Sequence, residues 1–221
     1  DEALYVMRTL NRAGFASYLV GGGVRDLYLG KTPKDFDIGT EARPGQIRRL
    51  FNNSSTLGRR FRLVQVFLKN RKNIEVSTLR SVREHDIDGP EAILAPNNTY
   101  GTPDEDALRR DLTINALFYE IENRTIIDYV GGVNDLDRGI IRIIGAADRR
   151  ITNDPVRMMR AVRHSVRNNF MVEEQSWAAI CRNHHLLRLC PPSRVRDETI
   201  NYIYSSVAAE WFELSLDGNL F

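Results

Sequence analysis

Two aspartates, Asp35 and Asp37, stand one residue apart behind a turn-forming proline in the run Gly30-Lys31-Thr32-Pro33-Lys34-Asp35-Phe36-Asp37-Ile38. Read as a short strand, this alternation sends both carboxylates to one face and Phe36 and Ile38 to the other. Two carboxylates side by side suit a pair of divalent cations about 3.5–4 Å apart, the spacing that clamps a transferring phosphoryl group. A solvated edge strand shows the same pattern, so the neighbourhood has to decide between them.

Upstream, Tyr18-Leu19-Val20-Gly21-Gly22-Gly23-Val24-Arg25-Asp26 leads an apolar strand through three glycines into a helical pattern. Glycines at such a junction let phosphate oxygens approach backbone N–H groups at the positive end of a helix. The dinucleotide fingerprint fails because Asp26 occupies its last glycine position, and no Gly-Lys-Ser/Thr follows to make a P-loop. A tight turn is the plainer reading of the glycines. Together with the Asp pair, they suggest a bound nucleoside triphosphate.

Three further stretches carry chemistry. In Ile74-Glu75-Val76-Ser77 the alternation turns Glu75 away from the apolar face, where it is either solvated or a third carboxylate beside Asp35 and Asp37. Arg109 and Arg110 ahead of Asp111 are a guanidinium pair that could bind phosphate or ribose oxygens bidentately, or simply a charged helix end. Asp154-Pro155 reads as an N-cap and first helical position. Asp154, Arg157, Arg160 and Arg163 then follow at helical spacing. An aspartate accepts from an exocyclic amine and arginine donates to ring acceptors, so such a face can read a base edge; a solvated helix face is the ordinary alternative.

These stretches resemble the class II nucleotidyltransferases, the family of bacterial poly(A) polymerases and tRNA CCA-adding enzymes. The resemblance spans Leu4 to about Leu214 and is carried by YLVGGGVRDLYLGKTPKDFDIGT, NNTYGTPDEDALRRDLTINALFYEI and IIRIIGAADRRITNDPVRMMRAVRH. It implies an α/β (α+β) nucleotidyltransferase head, a mixed β-sheet with flanking helices, followed by an all-helical neck and body portion. It places the catalytic Asp-x-Asp on Asp35 and Asp37, where two Mg²⁺ ions are expected. The nucleotide loop falls on Gly22 and Arg25, with Gly23 between them. Glu75 stands where the pattern has a third carboxylate, Arg110 where it contacts nucleotide, and Asp111 where it has an active-site carboxylate. The Asp154 helix matches the templating neck helix, whose usual opening Glu-Asp-x-x-Arg here carries Asn153 in place of the glutamate. The basic Arg-Arg-Pro loop usual in CCA-adding enzymes is not found. The implied activity is template-independent AMP transfer from ATP to an RNA 3′ end. CCA addition to tRNA is the alternative within the family, and a catalytically silent RNA-binding module the alternative outside it.

Composition fits this reading. In 221 residues, 42% hydrophobic and 27% charged, there is enough apolar material for one mixed domain and a smaller helical part. The expected domains are a head over 1–145 and a helical portion over 146–221, with the chain a fragment because the family continues with helices that hold the RNA body. A net charge of +2 permits a nucleic-acid partner without requiring one. Two cysteines, Cys181 and Cys190, without metal-ligand spacing, argue against a structural zinc site and suit a reducing compartment. With no signal peptide and no long apolar run, a soluble cytoplasmic protein without a membrane partner is expected. Expected elements are a helix over 2–13, a strand into the glycines, a helix from Pro44, a hairpin of strands 61–68 and 74–78, a mobile loop over 81–103, strands 113–120 and 125–129, an apolar stretch 140–144, and helices from Asp154 onward. Tyr202, Tyr204, Trp211 and Phe212 are expected in the core.

Overall fold

The computed structural model describes residues 2–58, 63–69, 73–81, 100–204 and 208–220. Their contacts form two compact units, one within Asp1–Val82, Pro96–Arg110 and Ile114–Val133, the other within Asp111–Thr113 and Asn134–Phe221. The division differs from the expected boundary at residue 145. Residues 140–144 fall in the second unit, whose two-stranded sheet, β8 (Ile140–Ile141) parallel to β9 (Met171–Val172), also makes it not purely helical.

In the first unit a mixed seven-stranded sheet runs in the order β3-β4-β5-β2-β1-β6-β7. Its strands are β1 (Ser17–Val20), β2 (Asp37–Thr40), β3 (Ser54–Leu57), β4 (Leu63–Phe67), β5 (Asn73–Thr78), β6 (Leu117–Glu120) and β7 (Thr125–Asp128). Within this sheet, among the described residues, only β2 and β5 pair in parallel; β4 and β5 form the expected antiparallel hairpin. Alternation gives the sheet an apolar face bearing Leu19, Ile38, Val64 and Val76, each buried. Helix α1 (Glu2–Arg12), with Val6, Met7 and Leu10 buried at helical spacing, packs on β1, β2 and β5; α3 (Pro44–Leu50) packs its buried Ile47 side on β4 and β5. Each such side chain contributes roughly 1.5–3 kcal/mol by leaving water.

Three sequence expectations change here. β2 begins at Asp37, not Asp35, because its ladder to β1 starts at the Val20–Asp37 pair, leaving Asp35 in the preceding loop. Residues 103–109 form helix α4 (Pro103–Arg109), opened by a capping box between Thr102 and Glu105 with Pro103 in the first turn. Residues 113–115 form a 3-10 turn, not strand. Strand β3 was not foreseen, and most of the expected mobile loop, with residues 61–62 of the expected strand, lies outside the described residues.

The second unit is organised on α7 (Val156–Asn168), whose Val156, Met158, Met159, Ala161 and Val162 are buried. Helices α9 (Pro192–Ile203) and α10 (Ala208–Asp217) pack on α7, and α6 (Ala147–Asn153) packs on α8 (Glu174–Asn183). The buried Tyr202 hydroxyl donates to the Met159 carbonyl, and its ring stacks on Trp211 at 3.6 Å between centroids. Tyr204 and Phe212, expected inside, are instead 86% and 51% exposed. After Pro191 the chain forms α9, closed at Tyr204, and then α10. Among the described residues no helix is long and apolar enough to cross a membrane.

Candidate active site

The sheet register sets Asp37 beside Glu75, Cα partners on parallel neighbouring strands whose side chains share a face. Gln65, opposite Glu75 on β4, donates its amide to the glutamate at 3.4 Å. The Asp37 carboxyl lies above its ordinary pKa, first through loss of solvation, then through the charges of Glu75 and Asp35, with Arg110 opposing. An accessible carboxylate crowded by two others has its charge relieved by a cation. Oxygen donors of this kind suit a hard divalent ion. Among the described residues, however, no three His, Cys, Asp or Glu side chains are grouped so as to enclose a metal.

The glycine turn meets this face through Arg110. Gly21 caps α2 (Gly22–Tyr28) with φ of 70°, a left-handed conformation that favours glycine. A Cβ there would lie 3.1 Å from Arg110 Nη1. Arg110 is held in place by Asp106, which accepts from its Nε and Nη2 at 3.1 and 2.9 Å, and by the Asn115 carbonyl, which accepts from Nη1 at 3.2 Å. Its guanidinium also lies over the Phe118 ring, 5.3 Å from the centroid. Gly23 serves differently: a Cβ would sit 3.4 Å from the Asp35 carbonyl, so the turn rests against the backbone that carries the first aspartate.

Arg25 is buried, 2% exposed, and donates to Asp26 Oδ1 at 2.7 and 2.9 Å and to Asn115 Oδ1 at 2.6 Å. It braces α2 against the turn at residues 113–115. Asp26, which breaks the dinucleotide fingerprint, is thus the buried counter-charge of this arginine. Asp106 and Asn115 have no place in the sequence expectations, and Gly21 enters them only as one of three glycines. The positive φ of Gly21 had no separate signal among three glycines, while Asp106 stands four residues before Arg110, the spacing of a helical ion pair.

In the second unit, Asp111 lies with its Oδ2 2.5 Å from Arg160 Nε and accepts from the Leu112 amide at 2.8 Å. Burial alone would raise its pKa, but Arg160, Arg157 and His164 together hold the carboxyl well below the usual range. The arginine series on α7 is also committed to acids. Arg163 donates to Glu198 at 2.9 Å. Asp154 does not cap α7: it closes α6, and its side chain accepts both Nη1 and Nη2 of Arg194, at 2.8 and 2.9 Å, with Arg157 Nε 3.9 Å away. Arg194 and Glu198, both on α9, are the partners that the sequence reading lacked. The structure therefore groups Asp35, Asp37, Glu75, Arg110 and the glycine turn in one unit, and Asp111, Asp154, Arg157, Arg160 and Arg163 in the other.

The poly(A) polymerase head-domain model matches residues 17–142, which hold the Asp pair, the glycine turn and Arg110. The chain belongs to the poly(A) polymerase head-domain family. A second family model, described as a probable RNA and SrmB-binding site of polymerase A, matches residues 169–221. Poly(A) polymerase I of Escherichia coli O6:H1 is 42% identical over 228 residues, spanning 100% of this chain and 49% of the relative. The CCA-adding enzyme of Lactobacillus helveticus is 37% identical over 220 residues, 99% of this chain and 54% of the relative. Among solved structures, the Bacillus stearothermophilus CCA-adding enzyme in complex with CTP superposes with a TM-score of 0.87 at 34% identity, covering 99% of this chain and 52% of that one. The chain thus spans about half the length of the relatives it matches.

Proposed function

We propose that this family member is the catalytic portion of a template-independent RNA nucleotidyltransferase that transfers AMP from ATP to an RNA 3′ end. The observation that carries the reading is the Asp37 carboxylate, crowded by Asp35 and Glu75 on the face that Arg110 also reaches. Asp35 and Asp37 would hold two Mg²⁺ ions, with Glu75 adding charge beside them. When bound, the ions would supply positive charge to the attacking 3′ oxygen and the leaving pyrophosphate. The glycine turn leaves backbone room for phosphate oxygens, and Arg110 presents a fixed guanidinium to them. Arg25 acts through the turn by bracing it. Asp111, held ionised, would anchor Arg160 and Arg157 of the base-reading helix.

For base choice, Asp154 and Arg157 would read the adenine edge. The two-pronged bond from Arg194 supports a single fixed setting of Asp154. A polymerase that adds one base needs one setting, whereas CCA addition calls for a change from cytosine to adenine. The fuller identity to poly(A) polymerases points the same way. The likeness to a CCA-adding enzyme solved with CTP favours the second reading, CCA addition to tRNA.

The test offers the full-length protein each nucleoside triphosphate separately, with an unstructured RNA and with a tRNA lacking its 3′ end. ATP alone should extend the unstructured RNA, in a Mg²⁺-dependent reaction that Asp37→Ala abolishes. Addition of C-C-A to the tRNA, stopping there, would establish the second reading; RNA binding with no transfer at any Mg²⁺ concentration would make the chain a binding module.

A further inference from the structure

The outer side of the helices that back the sheet carries positive charge with no answering acid. On α1, Val6, Met7 and Leu10 are buried, which leaves Tyr5, Arg8 and Arg12, three and four residues apart, as one exposed stripe. Helix α3 buries Pro44 and Ile47 in the same way and leaves Arg48 and Arg49 exposed in its last turn. The two helices meet where the Tyr5 ring stands edge-on to Phe51, the residue that closes α3, with 6.5 Å between centroids. Met7 shares an apolar hollow with Leu19 and with Ile74, the neighbour of Glu75 on β5. Strand alternation therefore puts this helical layer on the side of the sheet away from Asp37 and Glu75.

The arginines of α7 are committed to acids, whereas these are not. Among the described residues, no ion pair or side-chain hydrogen bond engages Arg8, Arg12, Arg48 or Arg49. Helix α3 contains no acid, and the one on α1, Glu2, lies about 9 Å along the axis from Arg8. Glu122, which reaches α1 from the turn after β6, accepts from Asn11 at 3.1 Å. Arg12, Arg48 and Arg49 stand in last turns, where a cation answers the helix dipole. That accounts neither for Arg8 in mid-helix nor for Tyr5, which is 57% exposed. Uncommitted guanidinium groups around an exposed ring suit a single-stranded polyanion, whose phosphates take the arginines while a base takes the ring. An acidic protein surface would use the charge and leave the ring idle.

We propose that this surface binds the RNA strand upstream of its 3′ end, as a second contact on the far side of the sheet from Asp37 and Glu75. The choice of RNA rests on the nucleotidyltransferase reading, but the contact itself does not require transfer. Fluorescence anisotropy with the full-length protein and a labelled oligoadenylate of about 30 nucleotides tests it. Arg8→Gln, Arg12→Gln, Arg48→Gln and Arg49→Gln combined should make the slope of log affinity against log salt less steep by about 3, at about 0.7 per lost phosphate contact. Between about 50 and 200 mM salt, the parent should therefore lose about 50-fold more affinity than the variant. The Arg8→Gln, Arg12→Gln pair should change the slope by about 1.5 and serves if the four-fold variant fails to fold by circular dichroism. Tyr5→Ala should weaken binding about ten-fold, while Tyr5→Phe, which keeps the stacking face, should bind as the parent does. In AMP transfer, these variants should raise KM for the long RNA, with kcat unchanged, and leave KM for a primer of about 6 nucleotides as it was. An unaltered salt slope in folded variants, or an equal rise in KM for both primers, would overturn the proposal. Displacement of the RNA by polyaspartate of equal charge, with Tyr5→Ala binding normally, would assign the surface to an acidic protein and overturn it as well. RNA binding weakened as expected in variants of a parent that transfers no AMP would leave the surface standing and refute the enzymatic reading.

Discussion

Replacing Gly21 by alanine separates a glycine needed for its backbone from one needed for the arginine beside it. At φ of +70° an L side chain costs about 1–2 kcal/mol. The added methyl would also meet Arg110 Nη1 at 3.1 Å. That guanidinium cannot yield freely, because Asp106 and the Asn115 carbonyl hold it, and loosening a partly buried ion pair adds roughly 1 kcal/mol. Gly14 is the control: its φ is +83° and nothing lies within 4 Å of an added Cβ, so Gly14→Ala carries the backbone cost alone. Urea unfolding of the full-length variants should show a loss of about 1–2 kcal/mol for Gly14→Ala and about 2–3 for Gly21→Ala. Incorporation of labelled AMP into an RNA primer, per folded molecule, should stay within about two-fold of the parent for Gly14→Ala and fall about ten-fold or more for Gly21→Ala, a barrier change of about 1.4 kcal/mol. If both variants lose the same stability and Gly21→Ala transfers AMP normally, the approach of Arg110 to the turn has no functional weight.

Asp37 tests the carboxylate cluster by pH. Its folded pKa is raised, so the folded chain keeps a proton that the unfolded chain releases, and Asp37 costs stability as pH rises from its ordinary value of 3.8 through the folded one. Glu75→Gln removes its strongest like-charge neighbour and should move the Asp37 carboxyl midpoint, followed by NMR, downward; an unmoved midpoint would place Glu75 outside the cluster. Asp111 has the opposite sign: its depressed pKa contributes stability that is present above its unfolded value of 3.8 and lost as pH falls through the folded one. Asp111→Asn should destabilise the protein by about 1–3 kcal/mol at neutral pH, between the exposed and fully buried limits for an ion pair, and a loss of under about 0.5 would refute the anchoring role. Arg194→Ala frees both oxygens of Asp154 and should relax the preference for ATP over CTP in primer extension. Undiminished preference, or equal loss for all nucleotides, would show that Arg194 does not set the base-reading edge.

Local signals suffice where one stretch of chain decides the outcome. Pro44 opening α3, the apolar spacing of α1 and the hairpin of β4 and β5 all follow from propensity and period. The capping box at Thr102 to Glu105 is equally local, but Pro103 also suits the end of a loop, and its place in the first turn of α4 separates the two. Strand β2 shows where period reasoning stops. Alternation treats Asp35 and Asp37 alike, but the hydrogen-bonded ladder to β1 includes only the second.

Residue type and spacing by themselves determined the chemistry available to this chain: an Asp pair behind a proline turn, glycines between a strand and a helix, and an arginine series on one helix. These depend on neighbours a few residues away, where bond geometry sets which side chains share a face. Which charges answer one another was decided only by tertiary structure. Glu75 stands beside Asp37 because β5 inserts parallel to β2, and Arg194 takes Asp154 from 40 residues further along the chain. Charged groups gain most from a partner when folding removes water from both, and that partner is chosen by packing, which brings together residues that no local pattern relates.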